Sequence, residues 1–193
     1  MDTRGVFLDL GGTLVEPLKP ERLDELTTIP GAVEAVSRLS AAGFVCPVIT
    51  VQSRIAKGLF SDAQFEAWFV RFAADLDAAG ARVVGPYVCP HRSIEPCRCK
   101  KPNTLLFERA AAEHGIDIAQ SFVIGDSPDD MRAARRLGAR GCLVRTGWAA
   151  DPRVADRAAL DANVVASTIG DAVDWILGTL TIQARRTKDA PAT

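Results

Sequence analysis

No apolar run in this chain reaches the roughly 18 residues that a bilayer span needs, so a transmembrane helix is excluded. Charge of one sign is also missing: 23 Lys+Arg stand against 24 Asp+Glu, a net charge of −1. That balance exerts no long-range pull on nucleic acid or an anionic membrane, and neither is expected as a partner. No secretory leader is expected either, because Met1–Gly12 passes directly into a strand pattern; a cytoplasmic location is expected. Cysteine is sparse and odd in number, five in all, which argues against a disulfide framework. What is present is ordinary for a globular chain: 193 residues, 48% hydrophobic and 24% charged, enough to bury a full core without staples.

Short apolar runs alternate with helical patterns. The runs are Gly5–Leu10, Phe44–Thr50, Arg82–Cys89, Ser121–Asp126, Gly141–Thr146 and Asn163–Thr168. They are rich in β-branched residues and bounded by Gly, Pro or polar residues, so they read as strands buried on both faces. Pro47 is awkward inside such a strand and predicts a bulge or an edge position there. Helices are expected over Gly31–Ala42, Asp62–Ala79, Asn103–His114, Asp129–Leu137 and Gly170–Leu180. In the second of these Asp62 reads as the N-cap, and Phe65, Trp68, Phe69 and Phe72 form an apolar face for the core. Residues 147–160 give no clear reading, and Gln183–Thr193 read as a disordered tail after a single domain of residues 1–182. The alternation implies an α/β fold, a three-layer Rossmann-like sandwich around a parallel sheet. Ligands of such sheets bind beyond the carboxyl ends of the strands. Asp9, Thr50, Cys89 and Asp126 all stand at such ends.

Asp9-Leu10-Gly11-Gly12-Thr13 places an acid at a strand end before a turn whose glycines let backbone approach an anion. An aspartate there is a candidate nucleophile towards phosphorus. Gly125-Asp126-Ser127-Pro128-Asp129-Asp130 brings acids to another strand end and a helix start. Capping accounts for Asp129 and Asp130 but not for Asp126. Carboxylates converging on a phosphate need a cation between them, and hard oxygen donors suit Mg²⁺. Separately, Cys89-x-His91 and Cys97-x-Cys99, five residues apart, offer three thiolates and one imidazole, the closed shell of structural zinc. Cys46 and Cys142, in apolar strands, read as core residues.

Taken together, these motifs resemble the haloacid dehalogenase (HAD) superfamily. Asp9, Gly12 and Thr13 are similar to its first motif, Thr50 to its second, Lys101 to its third, and Gly125, Asp126 and Asp130 to its fourth, in order. Cys89–Cys99 followed by Lys100-Lys101-Pro102 resembles a narrower group, subfamily IIIA, which holds the heptose-bisphosphate and histidinol-phosphate phosphatases. Thr50–Gly58 and Leu143–Gly147 look like the heptose type, while the short Cys89-to-Cys97 spacing looks like the histidinol type.

The resemblance implies a HAD-like sandwich without a large cap domain, in which the zinc loop acts as a small lid. It implies Asp9, Thr50 and Lys101 as catalytic residues, Lys101 holding the phosphate and the Asp9 carboxylate together. Mg²⁺ would bind Asp9, the Gly11 carbonyl and Asp126, with Asp130 in support. Substrate would meet Gly12, Thr13, Gln52, Ser53 and Lys100. The expected activity is Mg²⁺-dependent removal of phosphate from a small phosphorylated metabolite, a sugar phosphate of the heptose-bisphosphate type, with a monomer favoured. The alternatives are a histidinol-phosphate phosphatase or a degenerate member with little turnover.

The chain departs from the pattern at several points. Gly11 stands where the superfamily's phosphatases carry a second Asp, the general acid and base, whose help is worth roughly 10²–10⁴-fold. Val51 replaces an Asn, Arg54 a Gly and Ser127 a Lys of the heptose type. Lys100 replaces an Arg and loses its bidentate fork.

Overall fold

The computed structural model describes residues 3–188. Eight strands alternate with helices: β1 (Val6–Leu8), β2 (Val15–Glu16), β3 (Thr27–Thr28), β4 (Pro47–Val51), β5 (Val84–Cys89), β6 (Phe122–Gly125), β7 (Arg140–Val144) and β8 (Val164–Ala166). The α-helices are α1 (Ala32–Ala41), α2 (Ser53–Ala56), α3 (Asp62–Ala78), α4 (Leu105–His114), α5 (Pro128–Leu137), α6 (Pro152–Ala159) and α7 (Ile169–Lys188). Six strands form one parallel sheet in the order β5-β4-β1-β6-β7-β8. From β1 the chain builds outward through β4 and β5, then crosses back to β6 and builds the other way. The strand order reverses between β1 and β6, which opens a crevice at their carboxyl ends.

The alternation of side chains across the sheet divides the core in two. Val6 and Leu8 face α1, α3 and α7, with Phe65, Phe69, Val36, Leu39, Val173 and Ile176. Phe7 faces the opposite layer, where Phe107 of α4 meets it edge-on at 5.5 Å and Ala133 and Ala134 of α5 pack nearby. The aromatic stripe of α3 is core, with Trp68 stacked on Phe65 and Phe72 at 5.7 and 5.2 Å.

The predicted helices and the six predicted strands all form, with adjustments at their ends. Helix α3 is capped by Ser61 rather than Asp62, through a capping box with Gln64. A serine hydroxyl one residue earlier reaches the N3 amide, so Asp62 becomes the first helical residue. The irregularity expected at Pro47 lies between β4 and β5, where Pro47–Ile49 faces Val84–Tyr87. The extra residue therefore belongs to β5, an edge strand that tolerates Pro86. Residues 147–160 fold into a 3-10 turn at Gly147–Ala150 and helix α6, capped by Asp151 ahead of Pro152. Helix α7 runs on through Gln183–Lys188, where the sequence reading placed the start of a tail; 189–193 lie outside the described residues. Gln, Ala, Arg and Lys there are all good helix formers. The antiparallel pair β2–β3, not foreseen, folds residues 15–28 over the crevice. No described helix is long and apolar enough to cross a membrane.

Candidate active site

Each strand of the crevice delivers one residue to it. Asp9 follows β1, its amide bonded to Ile124 O at 2.9 Å, and Asp126 follows β6. Thr50 is the penultimate residue of β4. Ser127 caps α5 in a capping box with Asp130, which turns the Asp130 carboxylate back towards the strand ends. Lys101 arrives from the loop before α4. All five of Asp9, Thr50, Lys101, Asp126 and Asp130 are buried.

The lysine is the hub. Its Nζ donates to Asp9 Oδ1, to Asp130 Oδ1 at 2.5 Å and to Ile49 O at 3.1 Å. Burial works against the Lys101 charge, but Asp130 and Asp9 outweigh it and hold the ammonium firmly protonated. Burial pushes the Asp9 carboxyl up to about 6, an upward shift that Lys101 limits. Asp126 is pushed further, to about 8, by burial and by repulsion from Asp9 and Asp130. The Trp148 amide donates to Asp126 Oδ2 at 2.6 Å. Carboxylate oxygens of Asp9, Asp126 and Asp130 all lie within 4.8 Å of one another. Three buried carboxylates against one lysine leave a deficit of positive charge, which a hard divalent cation fits.

The backbone has been cleared for the Asp126 carboxylate. A Cβ on Gly12, at φ 86°, would lie 2.2 Å from Asp126 Oδ2; one on Gly147, at φ 50°, would lie 1.9 Å from it. Thr146 Oγ1 ties the two segments together by donating to Gly12 O at 2.5 Å. Gly11 differs: nothing lies within 4 Å of the place its Cβ would take.

These groups floor a cleft of about 540 Å³. Asp9, Gly11, Thr50, Gln52, Ser53, Lys100, Lys101, Asp126 and Asp130 line it. Gly12 and Thr13 do not: Gly12 sits against Asp126, and Thr13 is buried with its hydroxyl unpartnered among the described residues. Lys100 reaches the wall but spends its ammonium on the carbonyls of Arg92, Ser93 and Glu95, at 2.6, 3.1 and 3.1 Å. Three acceptors satisfy all three of its protons, so it is a clasp on its own loop. Sequence reasoning noted Thr146 and Gly147 only within the Leu143–Gly147 resemblance and gave them no role, and it missed the Trp148 amide. A glycine after a strand end was a weak signal for Gly147; a backbone N–H carries no side-chain signature.

Beside the cleft, Cys89, His91, Cys97 and Cys99 converge. Cys89 Sγ lies 3.7 Å from Cys97 Sγ and 3.6 Å from His91 Nδ1, and Cys99 Sγ lies 3.2 Å from His91 Nδ1. A tetrahedron with Zn–S bonds of about 2.3 Å has S···S edges of about 3.8 Å, so the donor set fits one zinc ion.

A family model for HAD-hydrolase-like proteins matches residues 98–172, a span that takes in Lys101, Asp126 and Asp130. The D-glycero-beta-D-manno-heptose-1,7-bisphosphate 7-phosphatase of Escherichia coli (strain K12) is 34% identical over 188 residues, covering 91% of this chain and 88% of that enzyme. The chain belongs to the HAD hydrolase family. The HAD phosphatase of the same name from Pseudomonas aeruginosa is 36% identical over 125 residues, 65% of this chain and 70% of its own. Among solved HAD structures, the D,D-heptose 1,7-bisphosphate phosphatase of B. bronchiseptica, complexed with magnesium and phosphate, superimposes with a TM-score of 0.83 at 26% identity, covering 92% of this chain and 99% of that one. That of Burkholderia thailandensis gives 0.69 at 27% identity, over 91% and 99%. These HAD relatives are of the heptose type, and they lend the histidinol-phosphate and low-turnover alternatives no support.

Proposed function

We propose that this chain is a Mg²⁺-dependent phosphatase of a phosphorylated sugar, of the heptose-bisphosphate type, working through an aspartyl-phosphate on Asp9. The observation that carries the reading is the buried Lys101–Asp9 contact beside Asp126 on the floor of an open cleft. With its carboxyl at about 6, Asp9 is ionised at neutral pH and able to attack. An Asp9 oxygen bonds to phosphorus, the P–O bond to the sugar breaks, and the leaving oxygen takes a proton from water. A second water then attacks phosphorus, releases inorganic phosphate and restores the carboxylate. Lys101 holds Asp9 in position and supplies positive charge to the phosphoryl oxygens. Asp130 positions Lys101, since both its oxygens are engaged, one by Lys101 and the other by Ser127. Mg²⁺ held by Asp9, Asp126 and the Gly11 carbonyl would add charge neutralisation at the transferred phosphate. Zinc held by Cys89, His91, Cys97 and Cys99 would shape the loop and take no part in the chemistry. All five cysteines are free, which suits a reducing, cytoplasmic setting.

The test is phosphate release from heptose 1,7-bisphosphate and a panel of sugar phosphates, with and without Mg²⁺. The parent should turn over, and Asp9→Asn should fall to background, because an amide is not a competent nucleophile. Substantial turnover by Asp9→Asn would overturn the mechanism.

A further inference from the structure

We propose that the amino-terminal edge of the sheet carries a separate anion site, in which Arg4 and Arg140 clamp a small dianion of the phosphate type. It lies at the end of the strands opposite to the cleft and does not depend on the phosphatase reading. Arg4 precedes β1, and Arg140 opens β7. Strand β6 runs between them, with Phe122 in register with Val6 on one side and Arg140 on the other. A cavity of about 250 Å³ at this edge is lined by Arg4, Ala119, Gln120 and Arg140. Main-chain bonds pin both arginines: Val45 N donates to Arg4 O at 3.2 Å, and Arg140 N donates to Ser121 O at 3.0 Å. The Arg140 guanidinium lies over the Phe122 ring, 4.1 Å from its centroid, and the Arg4 guanidinium lies over the Phe44 ring at 5.4 Å. Those two rings meet edge-on at 6.0 Å, and Trp175 packs edge-on against Phe122 at 6.0 Å. A ring face attracts a guanidinium without consuming its N–H donors.

Negative charge is what the pair lacks. No acid lines the cavity, and neither arginine belongs to a salt bridge among the described residues. Asp117 caps the 3-10 turn Ile118–Gln120 but spends its carboxylate on the Ala119 amide at 3.0 Å and on Gln120 Nε2 at 2.8 Å. Both arginines are half-buried. Burial, joined by repulsion from Arg4, holds the Arg140 guanidinium below its ordinary pKa. Two like charges gathered in one half-buried hollow repel each other, and an anion between them turns that repulsion into attraction. Two planar forks suit the paired oxygens of a phosphate better than a spherical halide. Two cations in a hollow of this size do not make the extended basic stripe that a nucleic-acid backbone needs, so the occupant is a small anion.

The experiment is a ¹⁵N NMR titration of the full chain with inorganic phosphate, with no Mg²⁺ added and ionic strength held constant with chloride. The Arg4 and Arg140 Nε–H signals and the Gln120 amide should move together along one saturation curve, with a Kd of about 1 mM or below. The Gly11 and Trp148 amides report separately on any phosphate that enters the cleft. Arg4→Gln should weaken binding at the edge by about 10-fold or more, the worth of a charged hydrogen bond, and leave the Gly11 and Trp148 response where it was. Arg140→Lys keeps the charge and loses the fork, so it should weaken binding less; it also keeps the test open should Arg4→Gln fail to fold. Glycerol 3-phosphate separates two sources of the anion. Equal or weaker binding than phosphate marks free phosphate as the ligand, tighter binding marks the phosphoryl group of a metabolite, and either supports the site. Shifts that stay linear in phosphate, shifts that chloride alone reproduces, or folded Arg4→Gln and Arg140→Lys proteins that bind within twofold of the parent overturn the proposal.

Discussion

Gly147 and Gly11, in neighbouring loops after β7 and β1, make contrasting demands. Gly147 has positive φ, and any Cβ there would strike the Asp126 carboxylate and Gly12 Cα, the latter at 2.6 Å. Gly147→Ala should therefore destabilise the protein by about 2 kcal/mol or more and weaken Mg²⁺ binding, read by thermal unfolding with and without the metal. Gly11 is open, so Gly11→Asp should be accommodated. Without an acid at position 11, a poor leaving group departs without a directed proton, and phosphoryl transfer should slow steeply as leaving-group pKa rises. Gly11→Asp should flatten that dependence and raise kcat on alkyl phosphates, within the roughly 10²–10⁴-fold range of acid–base catalysis. A flat dependence in the parent, with transfer shown to limit the rate, would mean that another group supplies the proton.

Among the elements, the loop that carries the Cys89–Cys99 cluster and helix α5 are the ones that set the site. The loop is held by the Cys89–Cys99 cluster, by the Lys100 clasp, by Asn103 donating to Cys97 O at 2.9 Å and by Arg92 donating to Ala56 O. Lys101 emerges directly from it. Cys97→Ser should abolish stoichiometric zinc, measured by elemental analysis, and should lower turnover by loosening Lys101. The sheet should persist, seen as unchanged far-UV circular dichroism, because Cys97 lies outside the strands. Zinc content that survives the substitution would contradict the four-residue shell.

For the whole molecule, the parallel sheet gathers three carboxylates at one crevice, and burial of that charge opposes folding. Metal removal should be felt globally. Mg²⁺ at 100 times its Kd should add about 2.7 kcal/mol of stability, raising Tm by roughly 5–10 °C for a chain of this size. Asp126→Asn should remove most of that increment while easing the repulsion in the metal-free state, so its metal-free Tm should not fall below the parent's. Differential scanning calorimetry with and without chelator checks both.

Much of this was legible before any coordinates. Periodicity set the strands and helices, because burial on two faces demands continuous apolar runs and burial on one face demands a helical stripe. Spacing gathered Cys89, His91, Cys97 and Cys99, because ligands two to ten residues apart can close on one ion with little loop entropy. Asp9, Thr50 and Asp126 were visible as polar residues ending apolar runs. What the tertiary structure alone decided is where the cations point. Lys100 and Arg54 have similar chemistry in the chain, yet among the described residues one is quenched by three carbonyls and the other makes a single bond, to Pro20 O. Gly12 and Thr13 read as substrate contacts; in the fold neither lines the cleft, Gly12 lying against Asp126 and Thr13 being buried. The sequence records which groups are available, through local pattern and short-range spacing. Which of them remain free to meet a ligand depends on partners tens of residues away, such as Pro20 for Arg54 and Asp130 for Lys101, and only the folded chain supplies those.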